Sequence, residues 1–289
     1  MDIVLSQLFT GLSIASILLV VALGLSIIYG TTGVINLAHG EFVMLGAYMS
    51  WFLQTFLGIS LIPAIPLILI GMFCLGWLIE RTVIRTLYSR PLDTILATWG
   101  IGILAQQLVR LSAGGELRYV ELPTALNESF EVFGASVSLY RLFILAVALL
   151  LFAITWFVFN RTRFGQKVRA LTQNSYMAES FGVNKGQVYS ITFAYGAALA
   201  GIAGALVSPL KSVSPEMGTS YVVDAFMVVV MGGVESLIGT VASSVLIGQM
   251  SGLFAYLSND TLAKALVFLI VIVVIRVKPN GLFHSSTRS

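Results

Sequence analysis

The sequence predicts an all-α fold: a polytopic transmembrane helical bundle of about 8–9 membrane segments with glycine-broken helices. It is expected to form a single transmembrane domain over residues 1–289. Three observations predict this. Of the 289 residues, 57% are hydrophobic and only 10% are charged, against roughly 25% charged in soluble domains. Mean hydropathy is +0.95. The charges are clumped and leave apolar runs of about 18 to 23 residues, the length that crosses a hydrocarbon core of about 30 Å at 1.5 Å per residue.

The expected helices are 5–29, 41–57, 61–80, 94–112, 138–160, 188–210, 221–232, 237–257 and 262–277. The chain begins MDIVLSQ, with Asp2 and no basic stretch, so its first apolar run reads as a retained helix and not a cleaved leader. Basic residues set the sides. Loop 80–93 holds Arg81, Arg85 and Arg90, loop 161–187 holds Arg161, Arg163, Lys167, Arg169 and Lys185, and the tail holds Arg276, Lys278 and Arg288. All three are expected in the cytoplasm. Segment 113–137 carries Glu116, Glu121, Glu128 and Glu131 against Arg118 and is expected outside. Counting back from Glu80 with three crossings places the N-terminus outside; a re-entrant 30–57 would place it on the opposite side. Trp51, Trp77, Trp99 and Trp156 read as interfacial anchors near span ends. In 191–210 small residues recur at Gly196, Ala200, Gly204 and Ser208, with a parallel row at Ala197, Gly201 and Ala205; such stripes let helix backbones approach closely in lipid. Cys74, the sole cysteine, reads as a small core residue.

One stretch interrupts the apolar pattern: 30-GTTGVINLAHGEF-42. Non-helical backbone at membrane depth survives only when buried in protein or lining a wet cavity. A glycine-broken segment bearing Asn36, His39 and Glu41 could therefore line a solute pathway. It could equally be a tight cytoplasmic turn, with His39 solvated and Glu41 favouring the start of the next helix. A weak echo lies at 232-GGVESLIGT-240, where Gly233 to Leu237 align on Gly33 to Leu37, so Ser236 joins the pathway candidates. Gln106 and Gln107 join them as amides inside an apolar segment.

Other chemistries lack their residues. There is no G-x-x-x-x-G-K-[ST] phosphate loop, no G-x-S-x-G elbow, and two histidines with one cysteine make a poor metal set. Glu41 is the main carboxylate at depth, with Asp224 and Glu235 as lesser candidates. The chain is expected to be no enzyme, to hold no cofactor or metal, to bind no nucleic acid, and to offer a solute pathway powered elsewhere. Loop 161–190 exceeds a minimal turn, and Lys167 to Phe181 can form one short helix ended by Gly182 or Gly186, with Val168, Leu171, Met177 and Phe181 as apolar anchors. It either rests on the bilayer or docks a cytoplasmic motor.

The run GLSIIYGTTGVINLAHGEFVMLGAY resembles the N-terminal signature of permease subunits in the branched-chain amino acid and urea ABC importers. The MA…FGVN of the long loop, VVVMGGVESLIGT and the closing RVKPNGLF also fit. Glu235 departs from the pattern, where a glycine would be expected. Three stretches, 90–111, 169–174 and 214–230, look most like the urea permease. The resemblance implies a heterodimer with a second homologous permease subunit in a bacterial inner membrane, two cytoplasmic ATPase subunits, and a periplasmic substrate-binding protein. It implies an ATPase coupling loop at Met177, Ala178, Glu179 and Gly182, and urea as the solute, with branched-chain amino acids or short amides as the alternative. A pathway of amides and hydroxyls with few charges suits a small neutral solute.

Overall fold

The computed structural model describes residues 2–132, 135–234 and 236–283. Its helices are α1 (Asp2–Thr32), α2 (His39–Leu57), α3 (Leu61–Thr82), α4 (Pro91–Ala113), α5 (Leu139–Arg161), α6 (Arg163–Gln173), α7 (Ser175–Ser180), α8 (Lys185–Val207), α9 (Met217–Gly232), α10 (Leu237–Leu257) and α11 (Asp260–Val277). A small antiparallel hairpin, β1 (Ser129–Val132) and β2 (Ala135–Ser138), pairs Ser129 with Ser138 in the expected external segment. Polar, alternating residues there allow strand pairing that a helix-based reading passes over.

All nine expected segments are helices, of which fewer than the expected 8–9 have the length and composition of a full span. Six helices among the described residues are long and apolar enough to span: α1, α3, α4, α5, α8 and α10. The other three fall short for different reasons. The 16 residues of α9 reach only about 24 Å at 1.5 Å each. Asp260, Lys264 and Arg276 load the 18 residues of α11 with charge. With 19 residues α2 is long enough, but His39, Glu41, Ser50 and Gln54 make it too polar.

The core is built on α1 and α8, both buried along most of their length. Around them stand α2, α3, α5, α9 and α10. The small-residue stripe of α8 explains how a helix can be surrounded this closely. A Cβ on Gly204 would strike the Val43 carbonyl of α2, one on Gly201 would strike Met72 of α3, and one on Gly24 of α1 would sit 2.5 Å from the Gly196 carbonyl. Side chains on these faces would hold the backbones apart. The outer helices α3, α4, α5 and α11 turn rows of leucine, isoleucine and phenylalanine outward, as lipid or a membrane partner requires.

The basic loops gather at one end of the bundle. Thr32 at the end of α1 lines a cavity of about 600 Å³ there with Arg85 and Lys185. At the other end, Gln54 near the close of α2 exchanges hydrogen bonds with the Glu121 backbone, 2.8 and 3.1 Å long. Arg81 stacks over Trp77 at 4.9 Å and Arg118 over Trp51 at 4.9 Å, as interfacial anchors do. Trp99 departs from that expectation: it is exposed in the interior of α4, away from either end.

Candidate functional site

The end of α1 is set by Gly33, whose φ of +68° is open to glycine at little cost. Its N–H closes on the Tyr29 carbonyl at 2.8 Å. Residues 33–38 then leave helical geometry and turn back into the bundle. The depth they reach decides between the two readings of this stretch. The Nε2 of His39 lies 2.9 Å from the Val21 carbonyl, and Val21 stands eleven residues, about 16 Å, back along α1 from Thr32. Leu37 donates its N–H to Thr98 Oγ1 at 3.2 Å, and a Cβ on Gly102, the midpoint of α4, would stand 3.3 Å from Glu41 Cγ. The segment is a break in the middle of the bundle. His39 and Asn36 are fully buried, so the solvated-turn reading is set aside.

The break is locally ordered yet incompletely satisfied. Asn36 Oδ1 accepts the Ala38 N–H at 3.1 Å in an Asx turn. Glu41 Oε1 accepts from Gln106 Nε2 at 2.8 Å. Three buried side-chain atoms here have no hydrogen-bond partner among the described residues: Asn36 Nδ2, His39 Nδ1 and Glu41 Oε2. With Nε2 against a carbonyl, the imidazole carries its proton there and presents Nδ1 as an acceptor. Leaving a buried polar group unpaired costs about 1–3 kcal/mol, so three in one segment call for a use. The cluster offers one N–H pair, one imidazole acceptor and one carboxylate oxygen. Glycine makes the geometry possible: a Cβ on Gly40 would meet the Gly218 carbonyl, and one on Gly218 would sit 2.5 Å from Glu41 Oε2.

The other pathway candidates separate. Gln106 is half-buried and turns inward to Glu41, while Gln107 is exposed on the outer stripe of α4 with Leu92, Leu96, Trp99 and Ile103. Ser236 is not brought to the cluster. It caps α10, its Oγ accepting the Gly239 N–H at 3.0 Å. Its neighbour Val234 accepts from Ser26 near the basic end of α1 at 3.1 Å. Glu235 lies outside the described residues. Thr98, Gly102 and Gly218 complete the cluster; Thr98 was legible among the hydroxyls of the apolar segments, and the two glycines were not singled out by sequence.

At the basic end the single helix expected over 167–181 is two, α6 and α7. They divide at Asn174, whose Oδ1 caps α7 by accepting the Met177 N–H at 3.0 Å. Val168, Leu171 and Ala178 pack inward with Val188 and Tyr189. Ala178 is thus a packing residue within the expected coupling set. Met177, Glu179 and Gly182 face outward, Gly182 at a φ of +83°. Tyr176 and Phe181, 80% and 83% exposed, flank them and enlarge the apolar face. A buried carboxylate, Glu80, fastens this unit to α3: it accepts from Tyr88 Oη at 3.0 Å and from Ser190 Oγ. Burial and the adjacent Glu80 push the Tyr88 phenol up, so it stays a donor.

Comparison with known proteins fits this architecture. The family model described as the branched-chain amino acid transport system / permease component matches residues 7–275. The high-affinity branched-chain amino acid transport system permease protein BraD of Pseudomonas aeruginosa is 30% identical over 96% of this chain and 95% of its own. The corresponding LivH protein of Salmonella typhimurium is 32% identical over 96% and 94%. A ribose import permease protein of Haemophilus influenzae, RbsC, is 30% identical over 43% of this chain and 42% of its own. No solved structure matches the chain. A bundle of apolar helices, broken at its middle and matched from residue 7 to residue 275, belongs to the family of branched-chain amino acid transport system permeases.

Proposed function

We propose that this chain is the membrane-spanning subunit of an ATP-driven importer that carries branched-chain amino acids across a bacterial inner membrane by alternating access. The observation that carries the reading is likeness along the full length to permeases named for that transport. The mid-bundle break supports it physically. Its unpaired carboxylate oxygen suits an ammonium, and its unpaired amide N–H suits a carboxylate, which are the two ends of an amino acid. Urea, which three stretches of sequence favoured, has no group that requires a buried carboxylate, and the relatives described above are not urea permeases.

Asn36, His39, Glu41 and Gln106 form the pathway on this reading. Gln107, on the exposed stripe of α4, faces a second permease subunit across it. The basic end lies in the cytoplasm by the distribution of arginine and lysine, with the C-terminus there and the N-terminus outside. Two ATPase subunits dock on Tyr176, Met177, Phe181 and Gly182, hydrolyse the ATP this chain has no motif to bind, and push through α6 and α7. A periplasmic binding protein delivers solute at the hairpin end.

The test is the assembled importer in proteoliposomes with its binding protein, ATP and labelled solute. ATP-dependent accumulation of leucine that urea does not reduce is the expected result. Accumulation of urea with no leucine uptake would reverse the choice of solute. Phe181→Asp should abolish uptake while the permease still inserts, because an exposed face is changed and not the packing behind it. Uptake at the parental rate would remove the docking role.

A further inference from the structure

A second polar feature lies at the hairpin end, apart from the break. Helices α1, α5, α9, α10 and α11, with the end of α8, surround a cavity of about 390 Å³, within the range of about 300–1,000 Å³ usual for small-ligand sites. Part of its wall is apolar and buried, including Ile17, Met227, Ile247 and Val267. The rest carries charge of both signs: Arg141, Lys211 and Lys264 against Asp224 and Asp260. Asp224 sits within α9, its side chain only 15% exposed, and pairs with Lys264 of α11 at 3.0 Å. Arg141 donates to Thr10 Oγ1 at 2.5 Å. Among the described residues no carboxylate lies within salt-bridge distance of Arg141 or Lys211, and no cation within that distance of Asp260.

A simple clamp between α9 and α11 accounts for Asp224 and Lys264. It does not account for two more cations and a further carboxylate on the same cavity. Asp224 is the one carboxylate here held largely out of water within a helix, and such a group is costly unless something uses it. Arg141, Lys211 and Asp260 stand around it at or just beyond the ends of their helices. We propose that this cavity binds a zwitterion with an apolar body. The anionic group lies against Arg141 and Lys211, the ammonium against Asp224 and Asp260, and the body against Met227 and Ile247. Two molecules share this chemistry. One is a free amino acid with an aliphatic side chain, for which the cavity is a site separate from the mid-bundle break; this arm rests on the function proposed above. The other is a phospholipid with an ethanolamine headgroup.

The experiment uses the assembled importer in nanodiscs without ATP or binding protein. Tritiated leucine binding is measured in phosphatidylglycerol discs, and retained phosphatidylethanolamine is measured by native mass spectrometry in mixed discs. Two variants are compared with the parent: Arg141→Gln, and the double exchange Asp224→Lys with Lys264→Asp, which keeps the α9–α11 pair but reverses its polarity. Saturable leucine binding weakened at least tenfold by both variants supports the amino acid arm. Phosphatidylethanolamine retention lost in both supports the lipid arm. If both variants assemble and neither changes leucine binding or lipid retention, the site is overturned, and ATP-driven leucine uptake in the same preparations leaves the transport reading standing. If the parent fails to take up leucine yet loses lipid on substitution, the transport reading falls and the site remains.

Discussion

The two glycine-marked breaks, 33–38 and 233–236, resemble each other in sequence and differ in what the fold makes of them. Each begins with a glycine at positive φ, +68° at Gly33 and +97° at Gly233. Each is closed by a contact of glycine backbones, Gly40 on Gly218 in one and Gly232 on Gly239 in the other. The first runs into the middle of the bundle and leaves three polar atoms unpaired. The second stays near the basic end, and its described residues are held by several bonds: Ser236 caps α10, Val234 accepts from Ser26, and the N–H groups of Leu282 and Phe283 bond Met231 and Gly232 at 2.8 and 3.3 Å. The same local chemistry thus leaves buried polar groups unpaired at mid-bundle in one place and makes a clamp near the basic end in the other. Depth and covering decide which, and neither is written in five residues of sequence.

The sharpest way to break that comparison is to remove the close approach at depth. Gly40→Leu should separate α2 from α9 and cost about 3 kcal/mol or more, because the obstruction is the backbone at Gly218 and cannot rotate away. The expected outcome is loss of the monodisperse species on size exclusion. A variant that accumulated and melted like the parent would mean that the contact at Gly40 is not needed.

Glu41→Gln comes next. It keeps shape and the contact with Gln106 but removes the charge. If the carboxylate meets solute, uptake should fall about 10- to 100-fold, since hydrogen bonds to charged groups are worth about 1.5–3 kcal/mol and 1.4 kcal/mol is tenfold. Melting should hardly change. A drop in melting temperature with uptake preserved would make Glu41 a structural residue, like its counterpart region near α10.

A labelling pair sharpens the contrast without asking about rate. In a Cys74→Ser background, Asn36→Cys should react with a small polar thiol reagent to an extent that depends on nucleotide state. Ser236→Cys should react alike in all states. Equal, unchanging reactivity at both positions would erase the distinction between them.

Much of the fold was legible because its causes are local. Apolar runs separated by charges gave all nine helices of the bundle, and the glycine stripe of α8 announced close packing. The rest depended on partners distant in sequence. His39 looked as fit for solvent as for burial until its ring met Val21, and Glu41 acquired a role from Gln106, 65 positions away. Ser236 was grouped with the pathway through an alignment, although a serine just ahead of an apolar helix is also a helix cap, and the cap is where the fold places it. In the long loop the hydrophobic residues were visible but their directions were not. Splitting the segment at Asn174 sends Val168 and Leu171 inward and leaves Phe181 outside.

Ser236→Ala is the smallest effect and the most direct check on the second break. The substitution removes one hydrogen bond, from the Gly239 N–H at 3.0 Å, and creates no cavity. Losing a serine cap costs about 1 kcal/mol, which for a chain of this size lowers the melting temperature by about 2 °C. Uptake should stay within about twofold of the parent, because the clamp keeps its other supports at Ser26, Leu282 and Phe283. Ser236→Asp should recover the stability, since aspartate caps a helix as well as serine does and favours the positive end of its dipole. If Ser236→Ala instead removed transport with melting unchanged, or if Ser236→Asp failed to restore melting lost in the alanine variant, the serine would be acting on solute and the second break would resemble the first after all.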